Sequence, residues 1–338
     1  DLKAQAINQY DNLVIFKKSG YMNVRSTPEN KGDDNVIGKL TSKAAGDIIE
    51  TVDGWYKIKS GTVTGYIAAD PELIATGQEA KDLAEQGVKE LILVAQETTL
   101  YGKDLYGEKS LHKLVKELCN ISGIRWIRIL YCYPEEITDE LIQVMKEEPK
   151  VCHYLDLPIQ HANDTILKRM GRRTTKQELV HIVEKLRSEI PDICLRTTLI
   201  TGFPGETAEQ HEELMQFVDE MEFDRLGVFT YSPEEDTPAA GMPEQIEEEV
   251  KEDRQAEIME LQQEIAFDKA EDMIGREVLV MIEGKVADEN AYVGRTYRDA
   301  PNVDGLIFVN TDEELMTGDF AKVKVTGAAE YDLIGELI

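Results

Sequence analysis

Between Gln78 and about Glu235 the sequence repeats one unit: an apolar run, turn residues, then a stretch with helical periodicity. The apolar runs are Glu90–Val94, Ile124–Tyr131, a run near Tyr154–Leu157, Leu195–Thr201 and Arg225–Tyr231. The helical stretches are Glu79–Gln86, stopped by Gly87, then Leu111–Cys119, and a third opened by Thr138 and running to Lys146. Thr175 with Glu178 and Thr207 with Gln210 each write a capping box for the last two, the first ending at Pro191 and the second near Met221. Strands that alternate with helices at this spacing run parallel, because a helix must carry the chain back before the next strand begins. The repeat therefore predicts a (βα) barrel or an open doubly wound sheet.

Both flanks have a different texture. From Tyr10 to Thr76 short strands alternate with Asp-Gly and Ser-Gly turns: Met22–Arg25, Val36–Leu40, Asp47–Thr51, Trp55–Lys59 and Gly65–Ile67. This pattern predicts a small antiparallel β-barrel, in which Trp55, Tyr56 and Tyr66 are core residues or line a groove. From Pro243 to Ala270 a charge-laced helix carries its apolar residues at Ile246, Val250, Ile258, Leu261 and Ile265. Five further strand runs follow, at Val278–Ile282, Ala291–Thr296, Gly305–Val309, Phe320–Val325 and near Asp332–Ile334. They predict a second small barrel of the oligonucleotide-binding type. The expected domains are thus 10–76, 77–270 and 271–338.

In parallel βα folds the chemistry gathers where strands end. Those positions carry Gln96, Thr98 and Thr99; Tyr131-Cys-Tyr-Pro134; Gln160 and His161; Thr201-Gly-Phe-Pro-Gly-Glu-Thr207; and Tyr231-Ser-Pro233. The Gly202 turn opens onto a helix start, whose amides are expected to favour a carboxylate or phosphate. Arg172 and Arg173 read as a carboxylate grip or as a solvated pair. The four cysteines, Cys119, Cys132, Cys152 and Cys194, form no CxxC pair, and with His153 and His161 they fit no zinc spacing. No metal ligand is expected, and nothing writes a Ser-His-Asp or Cys-His nucleophile.

Charge narrows the partners. Against 37 Lys and Arg stand 66 Asp and Glu, a net charge of −29, so strong nucleic-acid binding is not expected. No apolar run of membrane-spanning length and no secretory leader is present in the sequence, so membrane association is not expected either.

Four stretches taken together resemble the radical S-adenosylmethionine methylthiotransferases. They are Leu93-Val-Ala-Gln-Glu-Thr-Thr-Leu-Tyr-Gly102; Leu155-Asp-Leu-Pro-Ile-Gln-His161 with Lys168-Arg-Met-Gly-Arg-Arg-Thr174; Leu199-Ile-Thr-Gly-Phe-Pro-Gly-Glu-Thr207; and Phe229-Thr-Tyr-Ser-Pro-Glu-Glu-Asp-Thr-Pro-Ala-Ala240. The last small barrel resembles the TRAM domain of that family, and the likeness covers about 79–338. It is strongest to the branch that methylthiolates an aspartate of a small-subunit ribosomal protein. The resemblance implies a radical-SAM-type barrel that uses S-adenosylmethionine and two 4Fe-4S clusters. One cluster is held by a CxxxCxxC loop after the first barrel strand, the other by three cysteines of an N-terminal domain. This sequence writes neither ligand set, so the (βα) barrel is expected to be incomplete.

Residues 10–76 instead resemble a bacterial SH3 domain, a module that implies a cell-wall peptide as ligand. The two likenesses meet near Ala75–Lys81, inside a helix of the methylthiotransferase pattern. The expectation is therefore a chimeric or truncated chain, inactive alone, or alternatively a non-catalytic binding protein. Within the resemblance Gln96, Thr98, Gln160, Arg196, Thr198 and Gly202 are the expected wall for S-adenosylmethionine. Residues 272–338 hold 6 basic and 14 acidic side chains, which suits a basic ribosomal protein better than RNA. The expected compartment is the cytoplasm.

Overall fold

The computed structural model describes residues 13–16, 21–32, 34–41, 45–52, 54–60, 63–69, 74–76, 78–287 and 289–338. The chain divides into two compact units, residues 1–91 with 100–125 and residues 92–99 with 126–338. The turns expected at Asp33, Asp53 and Gly61 fall outside the described residues.

The first unit begins with strands β1 (Leu13–Phe16), β2 (Tyr21–Arg25), β3 (Val36–Thr41), β4 (Ala45–Val52), β5 (Trp55–Ser60), β6 (Val63–Ala68) and β7 (Ile74–Thr76). They form one sheet in the order β3-β2-β6-β5-β4-β1-β7, and every pair is antiparallel. The hairpins are local, as short turns demand. Met22, Val24, Leu40, Ile58 and Ile67 make the core, with Ile48, Tyr56 and Val63 packed against it. Tyr56 is thus a core residue, and the Tyr66 ring lies 5.5 Å from the Lys57 ammonium. The same unit carries helix α1 (Gln78–Glu85), a one-turn helix α2 (Lys103–Tyr106) and α3 (Leu111–Cys119), which buries Leu111 and Val115.

The second unit is built on a five-stranded sheet in the order β12-β11-β10-β9-β8. Its strands are β8 (Glu90–Leu93), of which residues 92–93 fall in this unit, β9 (Trp126–Ile129), β10 (Val151–Gln160), β11 (Cys194–Thr201) and β12 (Arg225–Thr230). Pairing from β9 to β12 is parallel, and the Leu93 carbonyl accepts from the Leu130 amide at 3.0 Å. Helices α4 (Asp139–Glu147), α5 (Asp164–Arg169), α6 (Lys176–Glu189) and α7 (Ala208–Met221) return the chain between strands. Each start has a local cause. Thr138 accepts from the Leu141 amide, Asn163 from those of Thr165 and Ile166, and both expected capping boxes form. Helix α8 (Glu248–Glu271) packs against β11 and β12.

Strands β13 (Glu277–Lys285), β14 (Ala291–Arg295), β15 (Ile307–Asn310), β16 (Phe320–Ala329) and β17 (Asp332–Leu337) close into a barrel in the order β13-β14-β15-β17-β16. Val280, Ile282, Ile307, Val309, Val323 and Val325 fill it. Closure brings backbones close at Gly294, where a Cβ would lie 2.5 Å from Val280 Cγ1 and 2.6 Å from the Met281 carbonyl oxygen. At Gly284 a Cβ would meet only Val293 Cγ1, at 3.9 Å. We therefore expect Gly294→Ala to cost about 1–3 kcal/mol through overpacking, and Gly284→Ala to cost less. Denaturant unfolding followed by Trp126 fluorescence checks this, since Trp126 packs edge-on against Phe320 at 4.9 Å. Equal losses in the two variants would contradict the close approach.

Candidate functional site

Side chains alternate across a strand, and the register aligns neighbours on one face. Asp156 lies beside Arg196, Arg196 beside Arg225, Thr198 beside Gly227 and Ile200 beside Phe229. That face of the parallel sheet therefore carries Trp126, Arg128, Cys152, Tyr154, Asp156, Cys194, Arg196, Thr198, Arg225 and Phe229 along four strands. The opposite face is apolar, with Ile127, Leu155, Leu157, Leu195 and Leu199 fully buried.

The polar face is divided along its length. At the N-terminal half of the strands it packs on the closed barrel: Trp126, Cys152, Tyr154 and Cys194 share a cluster with Met281 and Ala300. Toward the strand ends that cover stops, and Phe229 is 62% exposed. At the boundary sits Arg196. Its Nη1 donates to Asp156 Oδ1 at 2.9 Å and lies 3.5 Å from Thr198 Oγ1, while Nε lies 3.5 Å from Asp304 Oδ1. The third nitrogen, Nη2, is 3.9 Å from where a Cβ of Gly227 would be. Burial raises the Asp156 carboxyl pKa, and the Arg196 guanidinium opposes that shift. One guanidinium thus stands between two buried carboxyl groups. Such a group suits a ligand with a positive centre and a carboxylate that Nη2 can reach.

The strand ends add backbone strain. Three consecutive strands are followed or ended by left-handed residues: Tyr131 (φ 56°), Gln160 (φ 69°) and Gly202 (φ 69°). For Tyr131 and Gln160, which carry a Cβ, this costs about 1–3 kcal/mol each and concentrates where sites form. The Tyr131 amide lies 3.4 Å from Asp156 Oδ2. Beside it Glu97 accepts from the amides of Thr99 at 2.9 Å and Tyr133 at 3.0 Å, tying the loop after β8 to the loop after β9. Burial lifts the Glu97 pKa to about 7; the two amides oppose the shift, and Glu135 and Glu136 add to it.

The residues expected at the site divide. Arg196 and Thr198 stand together, and Gln160 ends the adjacent strand in strained backbone. Gln96 is exposed. Thr98 is buried, and its hydroxyl donates to the Leu130 carbonyl at 2.5 Å and accepts from the Ala95 amide at 3.1 Å, so it holds the loop. The Gly202 turn departs from expectation. Its amide and that of Phe203 already donate to Glu206 Oε2, at 2.6 and 3.2 Å. A carboxylate from the chain thus occupies the place foreseen for an external anion, and Arg254 lies 3.2 Å from its other oxygen. Gly202 serves packing instead: its Cβ would overlap the buried Lys251 side chain. Arg172 is no free grip either. It donates to the Pro158 carbonyl at 3.0 Å and stacks on Tyr133 at 4.1 Å.

Asp156, Glu97 and Asp304 were not singled out from sequence. For Asp156 a signal exists, since an acidic residue inside an apolar parallel strand must find a cation. Of the cysteines in the second unit, Cys152 and Cys194 share one apolar cluster, of which Cys132 is not a member. Cys132, Cys152 and Cys194 are buried, and Cys194 donates to the Arg298 carbonyl at 3.3 Å. Among the described residues no three His, Cys, Asp or Glu side chains are grouped to hold a metal ion.

Comparison with known proteins matches residues 67–218 to the Radical SAM superfamily and residues 274–338 to the TRAM domain. The ribosomal protein uS12 methylthiotransferase RimO of Lachnoclostridium phytofermentans is 66% identical over 258 residues, covering 76% of this chain and 59% of that protein. The RimO of Clostridium botulinum is 54% identical over 339 residues, covering 97% of this chain and 75% of that protein. That of Desulfitobacterium hafniense is 52% identical over 261 residues, covering 77% and 58%. The chain thus spans about three fifths of the length of two of these relatives and three quarters of the other.

The raised Glu97 pKa sets a pH dependence. A carboxyl whose folded pKa lies above its unfolded value binds more protons when folded between the two values, so stability falls as pH rises from about 4.5 to about 7. Carbon-13 titration of the carboxyl is expected to give a midpoint near 7. A midpoint in the ordinary glutamate range would contradict the burial of this side chain.

Proposed function

The chain belongs to the RimO family of ribosomal protein uS12 methylthiotransferases, and from that membership we propose that it supplies the S-adenosylmethionine wall and the substrate-facing barrel of such an enzyme. The reaction is methylthiolation of an aspartate in that small-subunit ribosomal protein. The observation that carries this reading is Arg196, held between two buried carboxylates at the boundary of an open polar face. When bound, S-adenosylmethionine supplies the methyl group and the radical chemistry. Its positive centre suits a place where one guanidinium is flanked by two carboxyl groups, those of Asp156 and Asp304. Arg196 Nη2 and the Thr198 hydroxyl are the groups for its carboxylate and hydroxyls, and Gln160 lines the same end. Gln96 stands at the rim, while Thr98 and the Gly202 turn shape the loops around it. The modules of this assignment are 10–76, 77–270 and 271–338.

The radical SAM family uses 4Fe-4S clusters, but the cysteines of this chain do not fit one. Cluster ligands are thiolates converging on one point. Burial instead pushes the Cys132 thiol up and that of Cys194 to about 12, which disfavours the thiolate. These cysteines therefore supply no cluster, and this chain alone is expected to be inactive in methylthiolation. The acidic barrel of residues 272–338 suits a basic ribosomal protein and repels phosphate. Such a substrate places the work in the cytoplasm. Among the described residues no helix is long and apolar enough to cross a membrane.

Two measurements test this. Anaerobic reconstitution with iron and sulfide is expected to load no cluster; about four irons per chain would refute the argument from the cysteines. Equilibrium dialysis is expected to show S-adenosylmethionine bound by the chain and weakened about tenfold or more by Arg196→Ala, the loss of a charge-assisted hydrogen bond. Equal binding by both proteins would sink the assignment of the wall.

A further inference from the structure

We propose that Asp304, a residue of the closed C-terminal barrel, is a positioning residue for Arg196, so that this barrel completes the S-adenosylmethionine wall from below. The inference rests on the reading of that wall given above.

Arg196 has a long side chain, and a single hydrogen bond to Asp156 would fix one nitrogen while leaving the guanidinium plane free to turn. A second carboxylate beside Nε removes that freedom. Asp304 is suited to the task because its own position is determined twice over. Its Oδ2 accepts from the Tyr154 hydroxyl at 2.7 Å and from the Ala300 amide at 2.8 Å, which leaves Oδ1 facing Arg196. Tyr154 is fully buried, and the Arg128 guanidinium lies 4.7 Å from its ring centre. Arg128 in turn donates to the Tyr297 carbonyl at 2.6 Å.

The loop that bears Asp304 is pinned at its other end by two crossed ion pairs, Arg225 with Asp299 at 2.6 Å and Arg298 with Asp224 at 2.5 Å. One of these pairs takes its arginine from the sheet and the other from the loop, so the loop cannot slide without breaking both. The Asp304 side chain is only 3% exposed. A carboxylate so buried is sustained only by partners, and two of its three partners, Tyr154 and Arg196, belong to the sheet. The barrel's own closure does not require it.

The test uses the full chain and two readouts. Nitrogen-15 NMR measures hydrogen exchange at Arg196 Nε, which needs no ligand, and equilibrium dialysis measures S-adenosylmethionine affinity. Asp304→Asn is expected to speed Nε–H exchange and to weaken binding about tenfold, as loss of one charge-assisted contact does. Tyr154→Phe, which keeps the ring and removes only the hydroxyl that holds Asp304, is expected to shift both readouts in the same direction by less. Asp299→Asn loosens the same interface without touching Arg196; it should lower the thermal midpoint and shift both readouts less than Asp304→Asn does. Wild-type Nε–H exchange in Asp304→Asn and Tyr154→Phe overturns the proposal. If Arg196→Ala binds cofactor as well as wild type, the wall reading falls instead, and the exchange data alone decide the role of Asp304. A change in Asp299→Asn equal to that in Asp304→Asn would reduce the effect to general loosening and overturn it as well.

Discussion

Arginines buried on one face of a parallel sheet set the terms for the second unit. Arg128 is fully buried, and the side chains of Arg196 and Arg225 are 19% and 17% exposed. Guanidinium groups stay charged at any ordinary pH, so burial cannot be relieved by losing a proton. Each must instead find oxygen atoms at short range, and unpaired they would cost several kcal/mol. Asp156 on β10 and the Asp224 carbonyl just before β12 supply part of these. The remaining oxygens, at Tyr297, Asp299 and Asp304, all come from one loop between β14 and β15. The small C-terminal barrel is therefore required by the charge on the sheet, and its place on the polar face follows from that requirement.

This arrangement explains why the polar face is closed at one end and open at the other. The loop satisfies the arginines nearest the N-terminal ends of the strands, where Cys194 and Trp126 join an apolar seal. Beyond Arg196 the face has Thr198, Gly227 and an exposed Phe229, and no oxygen from the C-terminal loop is needed there. Strained backbone at Tyr131 and Gln160 lies at the same end. Strain of this kind persists when surrounding contacts over-determine it, and the amide of Tyr131 beside Asp156 and that of Tyr133 bonded to Glu97 provide such contacts.

How much of this could be read from sequence depends on the distance over which each feature is encoded. Capping boxes at Thr175 and Thr207 were legible because both partners lie three residues apart, and both formed. The five βα units and the closing barrel were legible because alternation and turn residues are local. Strands β1 and β7 were not: Leu13–Phe16 has no alternation, and Ile74–Thr76 is too short to show any. At the site, Arg196 and Thr198 could be found from position on a strand. Asp304 could not, because it lies 108 residues from Arg196 in sequence and no periodicity links a loop aspartate to a strand arginine. The Gly202 turn departs from expectation for a related reason. A glycine turn before a helix offers amides to any anion, and pattern alone does not say that the chain's own carboxylate, a few residues on, takes them first.

The two faces of the C-terminal barrel follow different electrostatic logic, which bears on what family membership can mean here. Its exposed acids, among them Glu313, Glu314 and Glu330, are solvated and act at a distance, so salt screens them. Its buried acids, Asp299 and Asp304, act at hydrogen-bond range and are little screened. The net charge of −8 for residues 272–338 is set mainly by the exposed acids, whereas Arg196 is met by one buried acid of the barrel, Asp304, which the total hardly registers. Surface charge and the geometry at Arg196 can then vary independently within one small barrel. Substitutions on its surface would change that charge without disturbing Arg196, while a single change in the loop would disturb Arg196 and leave the surface charge nearly intact.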